Sequence, residues 1–341
     1  MRAVICEETD GTGEGSHTLK TVHLETKEPA FEQVSVDIYA SGVNRADVLQ
    51  ARGLYPAPKG ESLTLGLEFA GIVSGLGPRT HRFKPGTRVM GLVGSGGYAE
   101  SITVHEDLLV EIPENLSLID AGGIMEAACT VWSNLYDTAQ LKPGESVLIH
   151  GASGGVGSFA VQLASALGMR VLATARTPER VARCVELGAE TGFAYHRDQD
   201  GPPFTQDLPN LIKEATGGKG VDVILDVLGA EYLDANLRSL APSGRLVVIG
   251  MQRGASAPID LGRLLSRRLT VSGTTLRSRP HAEKAAIVDA VRTHVLPLLA
   301  SGAIRPLTHE TFPLEHASEA HALLNSGEVF GKVVLEVRQS S

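Results

Sequence analysis

Residues 151–157, Gly-Ala-Ser-Gly-Gly-Val-Gly, are well suited to holding a phosphate. Backbone N–H groups can crowd around an anion only where side chains stay out of the way. A helix that begins there adds the positive end of its dipole. The candidate contacts are Ser153, Gly154, Gly155, Val156 and Gly157. About 20 residues past such a turn, NAD-binding units keep an acid for the ribose 2′-hydroxyl. Here the chain reads Ala175-Arg176, with Arg180 one turn into the next helix. Cations in place of an acid suit a 2′-phosphate, so the spacing predicts NADPH rather than NADH. Two plainer readings stand beside this one: a glycine turn without a nucleotide, and solvated arginines.

The elements around the turn favour the nucleotide. Ser146 to His150 is a short apolar run with strand character, and Phe159, Val161, Leu163, Ala164 and Leu167 recur at helical spacing. A second strand is expected from Val171 to Ala175. Further strands are predicted at 192–196, 221–227, 244–250 and 268–272, with helical patterns between most of them. Strands alternating with helices predict an α/β fold with a doubly wound parallel sheet of six strands. The first 120 residues have a different texture. Phe31–Ala40 alternates Val34, Val36 and Ile38 with Gln33, Ser35 and Asp37, as a half-buried strand does. Leu67–Val73 and Tyr98–Val104 read as further strands between Gly and Pro clusters, which suggests an irregular β-barrel. Thr130–Ala139 reads as a helix, and 280–301 as a long amphipathic stretch. The expected plan is a nucleotide domain at 123–272 inserted into an outer domain of 1–122 and 273–341. A cleft between two such domains is a common place for a ligand.

The bulk numbers agree with a soluble globular protein long enough for two domains. The chain has 341 residues, 43% hydrophobic and 21% charged, and a formal net charge of −8. That balance disfavours nonspecific nucleic-acid binding. No apolar run reaches the length of a membrane span, and the N-terminus reads as a first strand rather than a signal peptide. Three cysteines, Cys6, Cys129 and Cys184, do not make a disulfide framework, and a reducing cytoplasm is the expected setting. The eleven histidines are scattered, with no pair at ligand spacing beside a cysteine, so no metal site is expected. A lone strand-end histidine (His150) and a cysteine without a histidine partner in sequence (Cys129) read as structural.

Several stretches together resemble the medium-chain dehydrogenase/reductase superfamily. They are Ser41-Gly-Val-Asn-Arg-Ala-Asp47, Gly53-Leu-Tyr-Pro56, Gly66-Leu-Glu-Phe-Ala-Gly71, Ala152-Ser-Gly-Gly-Val-Gly157 and Gly331-Lys-Val-Val-Leu335. Within it they are most similar to the zeta-crystallin-like quinone oxidoreductases. The tumour-suppressor-inducible branch shares the Asn-Arg-Ala-Asp and Leu-Arg-Ser-Arg runs at 44–47 and 276–279. The resemblance implies a GroES-like catalytic barrel, a Rossmann domain and NADPH. Zinc alcohol dehydrogenases place a cysteine near position 44 and Gly-His-Glu at 66–68, where this chain has Asn44 and Gly66-Leu67-Glu68. Leucine cannot ligate a metal, so the expected chemistry is zinc-free.

Quinones accept hydride readily because the resulting charge is delocalised, and modest hydrogen-bond donors can then suffice. The resemblance makes Asn44 and Tyr55 the catalytic candidates, although Asn44 also suits an N-cap for a helix over Arg45–Ala51. It adds Thr130, Tyr195, Gly250, Met251 and Lys332 to the cofactor contacts. Arg277 and Arg279 are either at the edge of the cleft or solvated. The function expected is NADPH-dependent hydride transfer to quinones. The alternatives are an enone or enoyl reductase and a non-enzymatic NADPH-binding protein. A homodimer is expected through the edge strand at 268–274.

Overall fold

The computed structural model describes residues 1–8, 17–58, 60–195 and 203–338, so the end of the predicted strand at His196 lies outside the described residues. The chain divides into two units: Met1–Cys129 with Leu276–Ser341, and Thr130–Thr275. Both boundaries fall a few residues beyond the expected 122 and 272.

The first unit contributes β1 (Arg2–Glu8), β2 (His17–His23), β3 (Gln33–Val43), β4 (Glu68–Leu76), β5 (Arg88–Leu92), β6 (Ser101–His105) and β7 (Leu109–Glu111). The second contributes β8 (Ser146–Ile149), β9 (Arg170–Ala175), β10 (Thr191–Ala194), β11 (Val221–Asp226), β12 (Leu240–Val248) and β13 (Thr270–Gly273). The chain then returns to the first unit for β14 (Thr308–Pro313) and β15 (Lys332–Glu336).

β3 organises the first unit. Its alternation buries Val34, Val36, Ile38 and Ala40 on one side, and the sheet runs β14-β15-β3-β4-β5-β7 with β6 also on β3. Two registers matter for chemistry. β15 lies antiparallel to β3 with Val333 opposite Val43, which sets Lys332 beside Asn44. β4 pairs with β3 at Ala70 opposite Ala40, which brings Glu68 to the same end. Three residues far apart in sequence thus meet where β3 gives way to the helix Arg45–Ala51.

The second unit is a six-stranded parallel sheet in the order β10-β9-β8-β11-β12-β13. The order reverses between β8 and β11, the position at which doubly wound sheets bind ligands. Its core joins Leu148, Leu172, Ile224 and Leu246 of the strands to Leu208 and Ile212 of the helix Phe204–Ala215.

Two expectations are corrected in detail. The predicted helix at 130–139 begins earlier, as an α-helix over Met125–Val131, and continues as a π-helix over Trp132–Thr138. Polar side chains compete there for backbone carbonyls: the Asn134 amide donates to Thr130 O at 2.7 Å and the Thr138 hydroxyl to Ser133 O at 2.8 Å. The 280–301 stretch is two helices, His281–His294 and Leu296–Ala300, with Pro297 in the first turn of the second. No helix among the described residues is long and apolar enough to cross a membrane.

Candidate active site

The glycine turn in the second unit has steric reasons for its residues. Gly151 takes φ 61°, in the left-handed region. A Cβ on Gly157 would stand 2.3 Å from Gly151 O, so only glycine lets the helix Gly155–Ala166 start this close to β8. Ser153, Gly154, Gly155 and Val156 form the turn and the first residues of that helix. Arg180 reaches back to it, donating from Nη1 to Ser153 Oγ at 3.2 Å. Its helix, Pro178–Glu186, is capped by Thr177. Burial and the charge of Arg176 both lower the Arg180 pKa, so the two cations bear on one another.

A cavity of about 310 Å³ opens beside them, lined among others by Arg176, Tyr195, Phe204, Leu228, Gln252 and Arg253. Two of the sequence-predicted residues, Arg176 and Tyr195, therefore line the same cavity. Gly250 is confined by Val227, whose carbonyl a Cβ would meet at 2.8 Å, while Met251 is exposed. Thr130 is buried, and its carbonyl accepts from Asn134. Sequence reasoning missed Arg253 and Asp226. Asp226, at the end of β11, accepts from the Leu228 and Gly229 N–H groups at 2.7 and 3.1 Å and shapes the next turn. His150 is structural: its ring bonds Thr174 and Asn236, and burial lowers its pKa.

The first unit holds a buried charged cluster. Glu68 has no solvent exposure. Its Oε1 accepts from Lys332 Nζ at 2.6 Å and Asn44 Nδ2 at 2.9 Å, and its Oε2 from Glu126 N–H at 3.0 Å. Gly42 makes room for it, since a Cβ there would stand 2.3 Å from Oε1. Lys332 also donates to Asn44 Oδ1 at 2.7 Å and Val43 O at 3.3 Å. Its ammonium is thus enclosed by oxygens, unlike an exposed strand-end charge. Asn44 is committed at both ends of its amide, because Nδ2 donates to Gly42 O as well as Glu68. It is also the N-cap residue of the helix Arg45–Ala51, where Asp47 accepts from its backbone N–H at 2.8 Å.

Asp47 continues the network, accepting from Gly66 N–H at 3.1 Å and the Tyr98 hydroxyl at 3.3 Å. Tyr98 in turn meets His321 Nε2 at 3.1 Å. Burial pushes the Asp47 carboxyl up to about 6 and holds His321 down to about 4. Glu126 is the exception. Burial, then the Glu68 charge, pushes its carboxyl up to about 8, and among the described residues no hydrogen bond or ion pair holds that carboxyl. Arg277 is buried rather than solvated. It donates to Gly94 O at 2.6 Å and Tyr55 O at 3.0 Å, and its guanidinium lies 5.3 Å from the Tyr55 ring centre.

Comparison with known proteins agrees with both halves. The zinc-binding dehydrogenase family matches residues 155–292, and the alcohol dehydrogenase GroES-like domain matches 31–114. A quinone oxidoreductase of Pseudomonas aeruginosa is 32% identical over 94% of this chain and 96% of its own. The crystal structure of Escherichia coli quinone oxidoreductase complexed with NADPH shares 30% identity and a TM-score of 0.84, covering 98% of this chain and 99% of that one. A mycocerosic acid synthase-like polyketide synthase of Mycobacterium tuberculosis is 34% identical over 94% of this chain, which spans only 15% of that synthase's length. The paired folds define a medium-chain dehydrogenase/reductase. The chain belongs to that superfamily, and the proteins it is similar to include both quinone oxidoreductases and part of a polyketide synthase.

A family described as zinc-binding raises the question of a metal at Glu68. The donors there are one carboxylate and one amide, and Lys332 already places its positive charge on an oxygen of each. Zinc prefers Cys, His and carboxylate ligands. The cluster around Glu68 does not fit it.

Proposed function

We propose that this protein is an NADPH-dependent oxidoreductase that reduces quinones without zinc. The observation that carries the reading is the Lys332–Glu68–Asn44 contact, in which an ammonium takes the oxygens a metal would need. NADPH, when bound, supplies the hydride. The glycine turn offers N–H groups and a helix N-terminus to the pyrophosphate, and its sterics suit close approach. Arg176 and Arg180 are positioned to bond a 2′-phosphate, with Tyr195 beside the adenosine end and Thr130, Gly250, Met251 and Lys332 as further cofactor contacts. Tyr55 contacts the acceptor, its ring held by Arg277. Asn44, both of whose amide hydrogens are engaged, positions Lys332 rather than donating freely. One hydride and one proton convert a quinone to a hydroquinone. Glu126, whose carboxyl burial pushes up to about 8, is the group we assign as the source of that proton. The protein acts in the cytoplasm as a homodimer, paired through β13, whose residues are largely exposed.

The similarity to part of a polyketide synthase favours a second acceptor class, a carbon–carbon double bond conjugated to a carbonyl. Steady-state NADPH oxidation with ortho-quinones, para-quinones and alkenals separates the two. Saturable turnover of quinones is expected. Turnover of an alkenal alone would replace the quinone reading, and light scattering at a monomer mass would remove the dimer.

A further inference from the structure

His105 and His281 are far apart in sequence and adjacent in the first unit. His105 ends β6, Asp107 lies in the turn that follows, and His281 opens the helix His281–His294. One ligand atom from each of the three lies within 4.8 Å of the others. The Asp107 carboxylate faces both rings: Oδ1 is 2.8 Å from His105 Nδ1, and Oδ2 is 3.0 Å from His281 Nε2. The imidazole rings stand 4.5 Å apart, inclined at 62°.

Two features distinguish this group from an ordinary surface ion pair. His105 Nδ1 and Asp107 Oδ1 are both buried, and although they approach to 2.8 Å they lack the alignment of a hydrogen bond. These two atoms are left without a hydrogen-bond partner among the described residues, whereas Asp107 Oδ2 and His281 Nε2 are hydrogen-bonded at 3.0 Å. The other His105 nitrogen, Nε2, meets the Glu32 carboxylate at 3.3 Å. Metal-bound histidines characteristically give their second nitrogen to a carboxylate, which fixes the tautomer and turns the free lone pair toward the ion.

We propose that His105, Asp107 and His281 bind a divalent transition-metal ion of the zinc class, with Glu32 orienting His105. Two imidazole nitrogens and a carboxylate are borderline ligands that suit zinc, and water completes the set. Tetrahedral ligands at bond lengths of about 2.0–2.2 Å stand roughly 3.3 Å apart, so the two Asp107 contacts need to open by a few tenths of an ångström while the ligand set, now within 4.8 Å, draws together around the ion. The ion would fasten the C-terminal segment to the N-terminal segment within this unit. It takes no part in hydride transfer, and the inference stands apart from the proposed reaction.

The test is calorimetric titration of the chelator-treated full-length protein with Zn²⁺. One ion per chain is expected. His281→Ala and Asp107→Asn should each weaken it by about tenfold or more. Added Zn²⁺ should raise the Tm of the unsubstituted protein and leave that of His281→Ala unchanged. His281→Gln, which keeps the side chain's bulk, guards against a folding defect. Absence of Zn²⁺ binding, or binding that survives in all three variants, would overturn the proposal.

Discussion

The cationic end of the second unit and the charged cluster of the first unit solve opposite problems. Arg176 and Arg180 lie near each other with an open cavity beside them. Like charges held together suit an anion, which the proposed function takes to be the 2′-phosphate. Around Glu68 the charges are opposite, buried and mutually satisfied, with Lys332 and Asn44 in contact across 288 residues of sequence. In the proposed function the first arrangement takes an anion, whereas Glu68, Lys332 and Asn44 meet their hydrogen bonds within the fold.

Breaking the closed cluster should have the largest effect. Lys332→Met leaves the Glu68 carboxylate buried without its cation, and stability should fall by about 3–5 kcal/mol, as read from urea unfolding. A loss below about 1 kcal/mol would show that water reaches Glu68 and that the cluster is not sealed. At the open site the folded protein should hardly change. Arg176→Ala or Arg180→Ala removes a charge-assisted bond of about 1.5–3 kcal/mol. The preference for NADPH over NADH should drop roughly 10- to 100-fold, in the ratio of the two dissociation constants. An unchanged ratio would return these arginines to ordinary solvated charges.

Glu126 sharpens the comparison, since its partly buried side chain lies close enough to the cluster to feel the Glu68 charge yet has no carboxyl partner among the described residues. Its folded pKa of about 8 lies above its unfolded value near 4.5, so the folded state holds the proton more tightly. The stability it contributes is present below pH 4.5 and is lost as pH rises toward 8. Glu126→Gln cannot ionise. Its stability relative to the parent should therefore climb between about pH 5 and 8, by no more than about 1.4 kcal/mol per pH unit. If Glu126 supplies the proton, parental turnover should also decline above about pH 8, and Glu126→Gln should lose that decline along with most of its rate. A flat stability difference would mean the carboxyl is already ionised and solvated. The smallest effect is expected for Tyr55→Phe. The ring stays beside Arg277, so stability should change by less than about 0.5 kcal/mol, and a KM rise without loss of kcat would mark simple contact with the acceptor.

The two regions also differ in how far the sequence exposes them. The glycine turn, the strand before it and Arg176 and Arg180 lie within some three dozen residues, so local spacing was enough to place them. The strand spacing likewise revealed the sheet. Helix ends were misjudged by a few residues where side chains such as Asn134 compete for backbone carbonyls. The cluster was only half visible. Asn44 and Lys332 emerged from family motifs, but nothing in the Gly-Lys-Val-Val run says that the lysine is buried against Glu68. Arg277 could not be told from a solvated charge until its contact with Tyr55 was seen. His105 and His281 looked scattered because their pairing depends on a helix folding back from the far end of the chain.

Periodicity and glycine placement are properties of neighbouring residues, set by backbone sterics and by which face meets water, and they determined the succession of strands and helices and the phosphate-binding turn. Burial, the partner of each charge and the proton affinities of Asp47, Glu126 and His321 depend on strand register and on how many low-polarity neighbours surround a group. Those quantities come into being only when distant segments pack, because electrostatic energy is decided by distance in space and by the exclusion of water.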